Sequence, residues 1–268
     1  MFKILFNPKK AERHPVEMMF IGIFYSSLSI LLSTFLFPEY SSLIMVFLTV
    51  LSCLYVVQGA IKIEESSEEL YKSEEWTLKK HSRVLVFLLF LFFGFVISFA
   101  FWTVVFSEEK VSVLFSLQSS VVEGIRAMSF TGNSTNSSNL LVIFFNNLKV
   151  LAISLIFAFF YGAGAIFIMA WNASVIGFVI GNLAKNAFGL IALPIISMKF
   201  LLHGIPEMLA YLTIALAGGI LYVSIARKDF FEVGKARRIL IDVFILFLIS
   251  VFLLIIAALI EVYVSPYV

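Results

Sequence analysis

Apolar residues run along this chain in stretches of about 20 or more, the length a helix needs to cross a hydrocarbon layer. Clusters of lysine, arginine and glutamate separate some of them. Seven such stretches predict seven helices, near residues 18–37, 42–61, 84–106, 148–170, 174–202, 206–226 and 239–259. The fifth is irregular, because Asn182, Lys185, Asn186 and Pro194 interrupt it and leave charge and backbone to be satisfied inside lipid. A broken or partly re-entrant helix is expected there. The connection 107–140 is too long for a turn. In it Leu114, Leu117, Val121, Ile125 and Met128 recur at three and four residues, the period of an amphipathic helix lying along the outer membrane surface.

Composition agrees with this pattern. With 61% hydrophobic and 13% charged residues and a mean hydropathy of +1.04, the chain carries more apolar surface than a soluble core hides. The expectation is an all-α, polytopic helical membrane protein, multi-pass in the cell membrane, with membrane lipids as its first partners. The first apolar stretch has full crossing length and no small-residue cleavage pattern after it, so it is expected to stay as a helix rather than act as a signal peptide. A net charge of +2 without a basic stripe argues against a nucleic-acid partner. The single cysteine, Cys53, excludes an intramolecular disulfide and a cysteine metal cluster. Two glutamines and two aspartates beside abundant Glu, Lys and Ile lean towards a thermophilic or archaeal source.

Orientation follows from three basic clusters: Lys3, Lys9, Lys10 and Arg13; Lys62, Lys72, Lys79, Lys80 and Arg83; and Arg227, Lys228, Lys235, Arg237 and Arg238. Seven crossings put all three on one side, and the positive-inside rule makes that side cytoplasmic. The amino terminus is then cytoplasmic and the carboxyl terminus outside. The acidic stretch 64–75 reads as a solvated helix extension or a docking surface. In the external connection, Asn133 and Asn136 each open a glycosylation triplet.

Candidate chemistry gathers at His203-Gly204-Ile205-Pro206-Glu207. Gly204 and Pro206 predict a helix break after Leu202 and a new helix through Glu207. His203 and Glu207, with Lys185 and Asn172, then form a polar site for a proton, ion or head group. The alternative is structural: Glu207 caps the new helix and His203 satisfies a carbonyl. Asn146 and Asn147 stand as an amide pair at a helix start. Gly177 with Gly181, Ala158 with Gly162, and Ala215 with Gly219 have the small-xxx-small spacing that lets helix backbones meet, and Gly164 belongs with them. That spacing serves packing within one chain and leaves a homo-oligomer open. No His-Glu-x-x-His, Gly-x-Ser-x-Gly or phosphate-binding glycine loop occurs, and His14, His81 and His203 lie far apart, so neither an enzyme, a metal nor a cofactor is expected.

From residue 84 to the carboxyl terminus the chain resembles the stage II sporulation protein M family of integral membrane proteins. Three blocks carry the likeness: Phe144-Phe145-Asn146-Asn147; Tyr161-Gly162-Ala163-Gly164 continuing to Trp171-Asn172-Ala173-Ser174-Val175-Ile176-Gly177; and the His203 to Glu207 segment followed by Ala215 to Gly219. The resemblance implies one crossing, an external loop and four more crossings, preceded here by an extra hairpin in residues 1–83. It also implies a membrane scaffold or assembly factor in envelope organisation, working with a membrane or envelope protein partner and without its own catalysis. A transporter or channel for a small solute, ion or lipid head group is the second expectation.

Overall fold

The computed structural model describes residues 15–66, 77–130, 136–161, 164–188, 193–226 and 228–264. All elements among them are helical. A hairpin of α1 (Pro15–Leu36) and α2 (Ser41–Ser66), joined by the single turn Pro38–Tyr40, precedes α3 (Thr77–Val105). Two short helices follow, α4 (Glu108–Leu114) and α5 (Ser116–Phe130), and then α6 (Asn136–Tyr161) and α7 (Gly164–Leu183). The wider π-helical turn Ala184–Phe188 extends α7. The long α8 (Leu193–Ala226) and α9 (Val233–Tyr263) close the bundle. Their connection turns at Lys228, which holds the left-handed φ of 66° that ends many helices.

Seven of these helices are long and apolar enough to cross a membrane. Each is apolar nearly all round, because one side packs in the bundle while the other meets lipid. Phe20, Phe24, Phe244 and Phe252 are exposed accordingly, whereas Phe87, Phe92, Phe95 and Phe99 of α3 are wholly buried. The hairpin packs through α1 on α3 and through α2 on α7. On the other side, α8 packs against α9, α6 and α7. Helix α7 therefore stands between the two halves.

The count of seven agrees with the sequence pattern, but the middle crossings are divided differently. The expected crossings 148–170 and 174–202 are replaced by α6 and α7, which part between Tyr161 and Gly164. Gly164 opens a helix where a packing position inside a crossing was expected, in keeping with the preference of glycine for helix ends. Gly162 lies outside the described residues, and Gly164 is the first residue of α7. Residues 174–202 are divided between α7, with the π-helical turn that extends it, and α8. Their two parts belong to successive crossings, and the parity on which the orientation rests is unchanged. Asn146 and Asn147 sit well inside α6, not at a helix start, with Asn146 exposed and Asn147 buried.

The expected break at His203 to Glu207 is also corrected. Helix α8 runs through it with Pro206 inside. Proline removes one amide and deprives the Leu202 carbonyl of its usual partner, a defect that membrane helices tolerate when neighbouring helices enclose them. Gly204 is not needed for a turn or a close contact: a Cβ there would find only Ile176 Cδ1, at 3.8 Å. We expect Gly204→Ala to fold normally and to gain about 0.5–1 kcal/mol from helix propensity. Thermal unfolding in detergent checks this, and a marked loss of stability would restore the break.

Close backbone crossings hold the bundle. A Cβ on Gly177 would lie 2.5 Å from Phe99 Cβ and 3.0 Å from the Val96 carbonyl, and one on Gly181 would lie 2.7 Å from the Ala100 carbonyl. The predicted Gly-xxx-Gly face of α7 thus lies directly on α3. Between α6 and α8, Ala158 packs on Ala215. The closest approach there is made by Gly218, whose added Cβ would lie 2.8 Å from Ala158 Cβ, with Gly219 buried beside it. A crossing not anticipated joins α1 to α3, where a Cβ on Gly22 would lie 2.7 Å from the Leu91 carbonyl and 3.2 Å from the Cα of Gly94.

Candidate functional site

Two polar arrangements stand out inside the apolar bundle. The first lies along α8, where His203, Glu207 and Tyr211 follow at four-residue intervals and so share one helix face. The Tyr211 hydroxyl donates to Glu207 Oε1 at 2.8 Å. Tyr211 is 2% exposed. Glu261, near the end of α9, is close enough for its charge to act on both. Glu207 lies deep in α8, so the expected role as a cap on a new helix does not apply. Carboxylates are costly within an apolar bundle and are a functional signal there by default.

Other residues expected at this site are engaged elsewhere. The Asn172 amide donates to the Ile168 carbonyl one turn back in α7, at 2.8 Å. Lys185, in the π-helical turn, donates to the Phe106 carbonyl at the end of α3 and pairs with Glu108 at 3.5 Å. It ties α7 to the start of α4. Asn133 and the Asn136 side chain, the expected glycosylation positions, fall outside the described residues. Among the described residues, no group of three or more His, Cys, Asp or Glu is placed to hold a metal ion.

The second arrangement centres on Gln118, which sequence reasoning did not single out. Its Oε1 accepts from the Ser42 hydroxyl of α2 at 2.8 Å, and its Nε2 donates to the Ser174 hydroxyl of α7 at 3.0 Å. Ser42 Oγ also accepts from the Leu117 amide at 3.2 Å, while Ser174 donates to the Trp171 carbonyl at 2.7 Å. Gln118 and Ser174 are fully buried and Ser42 nearly so. Beside them Phe115, at the junction of α4 and α5, stacks on Phe178 of α7 with ring centroids 5.4 Å apart and meets Phe99 of α3 edge-on. The connection between α3 and α6 is therefore a helical cap wedged between crossings. The apolar stripe recognised in the sequence splits: Leu114 is buried, whereas Leu117 and Val121 are exposed on the outward flank. That flank is apolar where lipid is the available neighbour, as an interfacial helix requires.

Residues 85–266 match the family model described as stage II sporulation protein M. The chain belongs to that family. The match begins inside α3 and takes in the cap, the α8 polar arrangement, Gln118 with Ser174, and every later crossing. It leaves α1 and α2 outside, although Ser42 of α2 completes the Gln118 network. No curated protein and no solved structure matches the chain.

Proposed function

We propose that this member of the stage II sporulation protein M family is an integral membrane scaffold or assembly factor in cell-envelope organisation, without its own catalysis. Its cap receives a membrane or envelope protein partner. The amino terminus is cytoplasmic and the carboxyl terminus outside, so the cap faces outward. The observation that carries this reading is the clamping of the cap by Gln118, Phe115 and Lys185, which fixes a polar surface at one end of the bundle. A scaffold needs such a surface because a preordered site spares the entropy of ordering a loop on binding. The test is photo-crosslinking in native membranes from exposed Ser112 and Ser120, with lipid-facing Phe252 as the control. A specific envelope protein captured from the cap positions alone supports the reading. Capture of lipid only, or equal capture from Phe252, overturns it.

The Glu207, Tyr211 and Glu261 constellation favours a second reading, a transporter or channel for a proton, ion or lipid head group. Glu207→Gln separates charge from packing, because the glutamine oxygen still accepts from Tyr211. We expect Glu207→Gln to keep its melting temperature, whereas Glu207→Leu orphans the Tyr211 hydroxyl and costs about 1–3 kcal/mol. Flux into liposomes that disappears in the folded Glu207→Gln protein establishes transport. Its absence from the wild-type protein sinks that reading.

A further inference from the structure

The family unit spans residues 85–266, yet one side of it is finished by residues outside that unit. Helix α1 lies on α3 with Gly22 against Gly94, backbone on backbone: a Cβ on Gly94 would lie 3.0 Å from both the Gly22 Cα and the Ile23 amide nitrogen. Nearby, the Ser27 and Ser98 hydroxyls bond at 2.9 Å. The second helix of the hairpin contributes Ser42, which donates to the fully buried Gln118 of the cap. Two different kinds of complementarity, steric at α3 and polar at the cap, thus meet on one face.

We propose that this face of α3, α7 and the cap is a docking site for a transmembrane helical hairpin, and that the amino-terminal hairpin α1–α2 is its resident occupant. The partner it fits has a small residue in its first helix, to admit Gly94, and a hydroxyl near the start of its second, to serve Gln118. Lipid satisfies neither requirement. Acyl chains cannot follow a backbone groove as a rigid helix does, and they offer no hydrogen bond to a buried amide. The hairpin therefore behaves as a tethered subunit that occupies this face and leaves the rest of the cap as the free outer surface. This holds whether the protein is a scaffold or a transporter.

The experiment uses the full chain with a protease site introduced into residues 67–76 and cut after extraction in mild detergent. The cleaved hairpin is expected to co-elute with the remainder in size exclusion. Gly22→Leu, which alters only the hairpin, and Gly94→Leu, which alters only its seat, are each expected to release it and leave the remainder monodisperse and helical. Gly124→Ala, at a position with open space around it, should retain the hairpin like wild type. Spontaneous separation of the wild-type pieces overturns the proposal, as does retention of the hairpin in both leucine variants. Aggregation of the remainder once the hairpin leaves also overturns it, because the hairpin is then part of an indivisible core.

Discussion

Replacing Gly177 by leucine lowers the melting temperature of the detergent-solubilised protein more than any other glycine change in α7 or α8. A Cβ alone at this position comes within 2.5 Å of Phe99 Cβ and 3.0 Å of the Ala100 amide nitrogen. These are main-chain and first side-chain atoms of a helix that cannot swing aside. Phe99 itself is wholly buried against Phe115 of the cap. Overpacking usually costs about 1–3 kcal/mol, and the full leucine side chain belongs at the upper end of that range. Gly177→Ala, which adds only the clashing carbon, is expected near the lower end. Gly204→Ala in α8 is the internal contrast, since its Cβ has room. If Gly177→Leu and Gly204→Ala melt together, the α3 to α7 crossing is not where the structure puts it.

The second large effect is expected at Gln118. Gln118→Leu has nearly the same volume but removes both side-chain hydrogen bonds, and it leaves the Ser42 hydroxyl proton without its acceptor inside the bundle. Orphaning a buried group costs about 1–3 kcal/mol. Interhelical bonds between membrane helices measure nearer 0.6 kcal/mol on average, because the unfolded helices also find partners. Two bonds and one orphan therefore predict a loss of about 2 kcal/mol. Adding Ser42→Ala removes the orphan, so the double variant should lose less than the sum of the single ones, a coupling that a mutant cycle reads directly. Additive losses would mean that the two side chains do not meet. Capture of a partner from Ser112 and Ser120 should weaken in Gln118→Leu, because the cap is then free to move off its seat.

Much of the architecture was legible in the sequence because crossing length is a property of apolar runs alone. Five of the seven crossings fall close to their expected places, and the Gly177 and Gly181 face was found from spacing. The boundary near Tyr161 was missed because a glycine at a helix end and a glycine in a helix contact leave the same trace. The continuity of α8 was missed because Pro206 was weighed as it would be in water, where the freed carbonyl is easily hydrated and a break is easy. Gly22 and Gly94 carried a signal that was not taken up: each is followed four residues later by a serine, Ser26 and Ser98. Glu261 carried one as well, as a carboxylate near the end of the last apolar run. For Gln118 the signal was weaker. It is one of only two glutamines in the chain, on a helix whose apolar stripe drew attention away from the polar position at its flank. In a membrane protein the inward face is the one that holds the polar residue, a reversal that hydropathy alone does not reveal.

The hydroxyls of α1 bear on how the chain is made. Ser26, Ser29 and Thr34 donate to carbonyls one turn back in their own helix, those of Gly22, Tyr25 and Ile30, at 2.6 to 2.8 Å, and Ser33 donates to Ile30 at 2.9 Å. Bonds of this kind need no other part of the protein. During synthesis α1 enters the bilayer well before α3 exists, and α2 waits longer still, until Gln118 and Ser174 have been translated. A nascent helix whose Ser26, Ser29, Ser33 and Thr34 hydroxyls are already occupied can rest in lipid through that interval with those groups satisfied. The cross-helix bonds that fix the final arrangement, Ser27 to Ser98 and Ser42 to Gln118, can form only once α3 and the cap have been made.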